Sequence, residues 1–396
     1  MINIEKIRDK LKECFVERFG ETEGEARLFF SPSRINIIGE HIDYNGGKVL
    51  PCGLTIGTYG LAKKNKLHRI RLYSINLDDY REIVLPLDKN CQREDAWSDY
   101  ACGVYLYLGK MGYEIGGMDI VVWGDIPNGA GLSSSASLEL LFGIIANSFF
   151  CNDEIKKIDL VHAGVSAEND FLGLHTGIMD QYVIAFAKKG QALLLDTAKE
   201  DHVYVPFEIP GASLVVMNTR KRRELKDSKY NERRSECEKA LEILRVKSGK
   251  DEIPDLCSLK LDDLDLLEKL EDPILVKRSK HVIMENDRVL KAVEALRKTD
   301  LETLGKLLRE SQESLKYDYE VTGPNLDAIC EAANDHPACY GARMTGAGFG
   351  GCAIALIKED SIKSFTEFVG KRYKDETGLE AEFIISQVGD GAGLLS

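Results

Sequence analysis

The sequence has no uninterrupted apolar run of the ~20 residues that a bilayer-crossing helix needs. Its first residues, MINIEKIRDKLKECF, are charged from the start and carry no apolar h-region, so no signal peptide is expected. The 10 cysteines include no C-x-x-C pair, and zinc-type ligand spacing and Cys/His clusters are both absent. Scattered cysteines without secretion predict reduced thiols and a cytoplasmic location. No G-x-x-x-x-G-K-[ST] segment occurs, so a nucleotide site here is not of the P-loop kind. Repeats and low-complexity tracts are absent too. Positive charge is the minority: 52 Lys and Arg stand against 65 Asp and Glu, a net charge of −13. A chain this acidic has no general attraction for nucleic acid or anionic membrane, and neither is expected as a partner. The short basic run Arg220, Lys221, Arg222 and Arg223 reads as a solvated cationic face.

At ~100–200 residues per domain, 396 residues predict two or three domains, or two lobes sharing a core. Ile4, Ile7, Leu11 and Phe15 recur at helical spacing, and Gly20 stops that helix. Leu28–Phe30 and Ile35–Ile38 read as extended, and Gly39–Gly47 reads as a loop. Asp119–Trp123, Leu193–Asp196, Leu214–Asn218, Cys352–Ile357 and Glu382–Ser386 read as strands. Ser133–Phe150 has helical periodicity, and the charged amphipathic stretch from Lys229 to about Leu304 is expected to be mostly helical. The mixture predicts an α+β architecture of two tightly packed lobes, 1–200 and 201–396.

Chemistry concentrates in four segments. Pro127-Asn128-Gly129-Ala130-Gly131-Leu132 and the serines Ser133, Ser134 and Ser135 follow a predicted strand and open a predicted helix. Gly129 and Gly131 allow close backbone approach, and a helix N-terminus favours an anion such as phosphate. A serine N-cap after a glycine turn would look similar, but three consecutive serines favour the anion site. Gly341–Gly351 contains a formal G-x-G-x-x-G but runs into a strand, which excludes a Rossmann reading. A glycine-rich hairpin or a surface packed near the phosphates remain equal alternatives there. Arg34, Glu40, His41 and Asp43 lie within ten residues, between apolar flanks that would pin them. Carboxylates accept hydrogen bonds from sugar hydroxyls, and several of them repel an anionic acceptor, so a neutral polyol fits best. Asp180 stands beside Gly177 in an apolar stretch; on spacing alone it caps a helix.

Taken together these segments resemble the GHMP kinase superfamily, in its galactokinase branch. RINIIGEHIDYNGG (Arg34–Gly47) resembles the sugar signature, GAGLSSSASLE (Gly129–Glu139) the phosphate loop, and GARMTGAGFGGC (Gly341–Cys352) the third motif. GIMDQ (Gly177–Gln181), KYNERRSEC (Lys229–Cys237) and the tail Gly389–Ala392 support it, and the order is kept along nearly the whole chain. Ile42 stands where many family members carry Thr. The resemblance implies a two-lobed fold with ATP, Mg²⁺ and sugar in the cleft, and transfer of the γ-phosphoryl group to the anomeric hydroxyl of α-D-galactose. It implies Asp180 as the catalytic carboxylate and Arg34 as its cationic partner. Glu40, His41, Asp43, Tyr230 and the Gly177 backbone would hold the sugar. Gly129, Gly131, Leu132, Ser133, Ser134 and Ser135 would wrap the phosphates, with Ser135 and Glu168 at Mg²⁺. Ser74, Asn76, Trp97 and Tyr100 would lie near the adenine. It implies a monomer. The alternatives are an N-acetylgalactosamine kinase and a non-catalytic galactose sensor on the same fold.

Overall fold

The computed structural model describes residues 4–21, 25–87, 92–127, 129–221, 226–250 and 252–395. Asn128, Arg222 and Arg223 lie outside the described residues. The helices are α1 Ile4–Phe19, α2 Asp99–Lys110, α3 Ser134–Phe150, α4 Lys157–Ser166, α5 Met179–Phe186, α6 Lys226–Lys247, α7 Pro273–Arg297, α8 Leu301–Ser314, α9 Pro324–Asn334 and α10 Ile362–Thr377. The strands are β1 Arg27–Asn36, β2 Lys48–Val49, β3 Pro51–Lys64, β4 Arg69–Ser74, β5 Asp79–Val84, β6 Met118–Gly124, β7 Gln191–Asp196, β8 Asp201–Pro206, β9 Ala212–Asn218, β10 Cys339–Thr345, β11 Cys352–Lys358, β12 Glu382–Ile385 and β13 Gly393–Leu395.

The first half is built on a six-stranded sheet in the order β13-β1-β3-β6-β4-β5, antiparallel except for the β4–β6 pair. Side chains alternate across a strand, so its two faces can be read separately. Leu28, Leu61, Tyr73 and Val121 point to one face, where Ile7, Leu11, Phe15 and Phe19 of α1 cover them. Phe29, Ala62, Leu72, Ile120 and Val122 point to the other face, into the main core with Leu141 and Ile145 of α3. Both faces are covered, so β3 is buried along nearly its whole length and shows no clean apolar–polar alternation. That is why β3, the longest strand, carried no alternating signal. Ile4, expected on the buried stripe of α1, is 44% exposed in the first turn.

A four-stranded antiparallel sheet, β10-β11-β9-β12, forms the second half, with α8 and α9 packed on β10. The helical stretch expected after Lys229 is α6, two 3₁₀ segments between Leu256 and Lys269, then α7 and α8. The chain then departs from a clean division at residue 200. Gly389 and Gly391 donate to the carbonyls of Gly53 and Ala187, and β13 adds to the edge of β1. The last residues therefore complete the first sheet. Eight described cysteines are free.

Candidate active site

A cavity of about 400 Å³ opens between the two sheets. Arg34, Glu40, His41, Asp43, Gly129, Gly131, Ser133, Ser134, Ser135, Glu168, Gly177, Asp180 and Tyr230 all line it. Sequence distance between these segments exceeds 190 residues, from Arg34 to Tyr230, so tertiary packing assembles the group.

Arg34 reaches the cavity because β1 is irregular. The β1–β3 register shifts between Pro32 and Arg34, and a bulge re-aims the side chain beside it. Arg34 Nε donates to Asp180 Oδ1 at 2.7 Å, and Nη2 donates to Oδ2 at 2.6 Å. This planar two-point contact is the strong form of an Arg–carboxylate pair. Arg34 Nη1 donates to the Gly131 carbonyl at 3.1 Å, which ties the pair to the phosphate loop. Ser133 Oγ donates a short hydrogen bond to Asp180 Oδ2. Burial alone would depress the Arg34 guanidinium, but the Asp180 carboxylate outweighs it and holds the group above its ordinary value. Asp180 opens α5 in its first turn, yet its carboxylate is turned to Arg34 and Ser133.

The phosphate loop is made of backbone. Gly129, Gly131 and Ser133 have φ of 70°, 75° and 57°, each in the left-handed region. Alternating handedness turns successive N–H groups toward one point, which is an anion-binding nest. The chain then enters the 17-residue α3 at Ser134, whose free N–H groups and dipole add to the same field. Ser137 Oγ on α3 donates to the Ser31 carbonyl, and Ser33 Oγ to the Leu132 carbonyl, so β1 fixes where this helix starts.

The opposite wall is made of side chains. Glu40 is 2% exposed; its Oε2 accepts from Asn36 Nδ2 at 3.1 Å, its Oε1 from the Gly346 N–H at 2.8 Å, and Arg343 lies 3.0 Å away as an ion pair. A carboxylate has about four acceptor positions, so Glu40 keeps one for a ligand. Asp43 packs against Gly177 so closely that a Cβ at 177 would stand 1.9 Å from its Oδ2. Burial first, then the charges of Asp180 and Glu40, push the Asp43 carboxyl up to about 7. Burial, then Asp43 and Asp180, hold the Tyr230 phenol well above its ordinary range. His41 has φ +62 and is pushed down to about 3 by burial, with His281 adding to it, so its imidazole is neutral.

Glu168 sits in a turn after α4 and accepts from Thr176 Oγ1 at 2.6 Å and Gln181 Nε2 at 3.0 Å. The same Gln181 amide donates to Glu139 Oε2 at 2.9 Å, and burial plus the Glu168 charge raise the Glu139 carboxyl well above its ordinary value. Ser135 and Glu168 offer an alcohol and a carboxylate oxygen, a hard donor set that fits Mg²⁺, which keeps most of its water and takes few protein ligands.

Four expected residues are not on the cavity wall: Leu132, Trp97, Ser74 and Asn76, whose side-chain amide pairs with the Gly124 backbone instead. Leu132 is buried, and only its carbonyl is engaged, by Ser33. Trp97 stacks on Phe142 of α3, and its Nε1 donates to Asp79 Oδ2 at 2.9 Å. Ser74 pairs in register with that same Asp79. Tyr100, one helical turn beyond Trp97, does line the cavity. The reading from sequence did not assign Leu174, Thr176, Met179 or Ala347, which also line it, nor Arg343, which holds Glu40 from behind. Arg343 and Gly346 stand inside the third motif. Of the two alternatives for that motif the hairpin applies: it is the β10–β11 hairpin, and its turn walls the cavity on the Glu40 side.

The comparisons with known proteins agree with this geometry. Family models match at residues 13–64 (galactokinase galactose-binding signature), 99–188 (GHMP kinases N terminal domain) and 292–375 (GHMP kinases C terminal). The fold and its cleft are those of a GHMP kinase. A galactokinase of Ligilactobacillus salivarius is 46% identical, over 97% of this chain and 99% of its own. One from Lactiplantibacillus plantarum is also 46% identical, over 96% and 98%. The crystal structure of Lactococcus lactis galactokinase complexed with galactose superposes with a TM-score of 0.93 at 42% identity, covering 98% of this chain and 100% of that one. A mevalonate kinase of Methanococcus jannaschii, at 21% identity and a TM-score of 0.66 over 93% of this chain, shares the fold. The chain belongs to the galactokinase family.

Proposed function

We propose that this enzyme transfers the γ-phosphoryl group of ATP to the anomeric hydroxyl of α-D-galactose, giving galactose 1-phosphate and ADP. The observation that carries the reading is the Arg34–Asp180 pair, placed between a backbone phosphate nest and a wall of sugar-binding side chains. Phosphoryl transfer needs alignment and charge stabilisation more than covalent help. Asp180 orients the attacking hydroxyl. With Arg34 and Ser133 already donating to it, this carboxylate is better suited to polarise the hydroxyl than to take its proton early. Arg34 stabilises the charge that develops as the phosphoryl group moves. Glu40, His41, Asp43, Tyr230 and the Gly177 backbone hold the sugar, and Gly129–Ser135 hold the phosphates. Ser135 and Glu168 would hold Mg²⁺, which when bound neutralises phosphate charge. Tyr100, with Trp97 and Ser74 behind it, marks the adenine side. Four carboxyl groups in one cavity, Glu40, Asp43, Glu168 and Asp180, favour a neutral acceptor over an anionic one.

We take the lobes to divide near residue 200, with the tail crossing back, and the enzyme to act as a cytoplasmic monomer. No described helix is long and apolar enough to cross a membrane. The test is ADP release from MgATP with D-galactose, N-acetylgalactosamine, D-glucose, mevalonate and homoserine. Turnover on galactose alone is expected. Preference for N-acetylgalactosamine would move the substrate, and galactose binding without any turnover would make the protein a sensor.

A further inference from the structure

We propose that a one-way hydrogen-bond chain, Cys237 to Tyr319 to Tyr44 to His41, fixes the His41 imidazole with its proton on Nε2, so that this ring meets the sugar only as a donor. The inference rests on His41 facing the sugar, as proposed above, and assigns roles to three residues that do not line the cavity.

The chain is continuous. Cys237 Sγ on α6 lies 3.2 Å from the Tyr319 hydroxyl, which lies 2.9 Å from the Tyr44 hydroxyl, which lies 2.8 Å from His41 Nδ1. Cys237 and Tyr319 are buried, 1% and 0% exposed. His41 Nε2, at the far end, is buried and has no hydrogen-bond partner of normal geometry among the described residues. An orphaned ring nitrogen at a cavity wall awaits a ligand atom.

Each hydroxyl has one proton, so the chain can run in only two directions. In the first, the thiol gives to Tyr319, Tyr319 to Tyr44, and Tyr44 to Nδ1; the remaining imidazole proton is on Nε2. In the second, Nδ1–H gives to Tyr44, and the last phenol gives to sulfur. Two observations select the first. The Asn45 amide, whose Nδ2 donates to the His41 carbonyl, also bears on the Cys237 sulfur as a donor, so the sulfur already has an incoming proton. Among the described residues, the acceptor for the thiol proton is the Tyr319 oxygen, at 3.2 Å. Burial keeps every proton in place: it raises the Cys237 thiol to about 12 and both phenols well above their ordinary range, and the imidazole stays neutral. A neutral imidazole is also the better acceptor for a phenol proton than sulfur is.

A ring locked as a donor requires a lone pair on the substrate, which a hydroxyl or ether oxygen supplies and an ammonium does not. Tyr44, Tyr319 and Cys237 are therefore positioning residues for specificity. The test has a readout that needs no sugar: nitrogen NMR of histidine-labelled protein, with the His41 signals identified by their loss in His41→Gln. A pyrrole-type Nε2 and a pyridine-type Nδ1 are expected at neutral pH. Tyr44→Phe removes the donor to Nδ1; a mixture of tautomers is expected, with the galactose KM raised about 5- to 30-fold and kcat and the ATP KM unchanged. Tyr319→Phe, which leaves Tyr44 in place, should give the same change in smaller measure, and Cys237→Ser should preserve the tautomer where Cys237→Ala weakens it. A proton on Nδ1 in the unaltered protein, or an unchanged tautomer and galactose KM in both tyrosine variants, would overturn the chain. Failure of galactose turnover in the acceptor panel would instead overturn the assigned substrate and leave the tautomer result standing.

Discussion

The two walls of the cavity are built in different ways. The wall proposed for the phosphates is one contiguous stretch of backbone, Gly129–Ser135, whose donors are main-chain N–H groups and a helix end. The wall proposed for the sugar is mainly a set of side chains from four segments, Arg34–Asp43, Gly177–Asp180, Tyr230 and Gly346–Ala347, and the first of them is held from behind. Helix α7 does much of that holding. Glu285 Oε1 accepts from the Gly39 N–H at 3.0 Å, Asn286 Oδ1 accepts from the Lys48 N–H at 2.9 Å, and His281 Nε2 meets the Glu40 carbonyl at 3.1 Å. A backbone wall depends on conformation and forgives most side-chain changes. A side-chain wall depends on the charge and packing of residues that never touch the ligand. The Arg34–Asp180 pair joins the two, through Gly131 on one side and α5 on the other.

This contrast can be broken or sharpened by substitution. The largest effect is expected for Glu40→Ala. It strands Arg343, whose side chain is fully buried, and removing one partner of a buried pair costs about 3–5 kcal/mol. Thermal unfolding should shift down by many degrees, and the surviving protein should show a raised galactose KM; a rise in the ATP KM instead would misplace the wall. Gly177→Ala comes next. Its new Cβ must displace the Asp43 carboxylate, and overpacking of this kind costs about 1–3 kcal/mol, so the galactose KM should rise roughly 10- to 100-fold with the ATP KM unchanged.

Asp43→Asn separates binding from stability. A carboxyl held up to about 7 in the fold, against an ordinary value near 4, stabilises the fold fully only below that ordinary value. The stability is lost as pH rises toward 7. The amide has nothing to lose, so the variant should match the parent near pH 4 and exceed it above pH 7, by about 1–3 kcal/mol given that Asp43 is only partly withdrawn from solvent. Melting curves across pH check this, and a parent more stable than the variant at pH 8 would contradict it. The smallest effect is expected for Gly129→Ala. Its Cβ would meet open space, so only the left-handed backbone is penalised, by about 1–2 kcal/mol. The ATP KM should rise several-fold and the galactose KM should stay; equal rises in both would erase the distinction between the walls.

The same contrast explains what could be read from the sequence. The phosphate wall was legible because it is local: glycines, serines and a helix start within a few residues. Glu40, His41 and Asp43 were legible as a cluster between apolar flanks. Asp180 was not, because its spacing fits a helix cap, and only its meeting with Arg34, 146 positions away, gives it a role. Its assignment came from resemblance. Arg343 and Tyr319 left no signal, since a charge or a phenol within an apolar stretch says nothing about which carboxylate or hydroxyl it will meet. Strand β3 hid its period because α1 and α3 cover both faces of its sheet.

The junction of the walls is the most direct place to test the account, by measuring turnover and calorimetric galactose binding together in Asp180→Ala. The account predicts that turnover falls by about 10²–10⁴-fold or more while galactose still binds within roughly tenfold of the parent. Turnover close to the parent's would show that the Arg34–Asp180 pair is not where the chemistry happens.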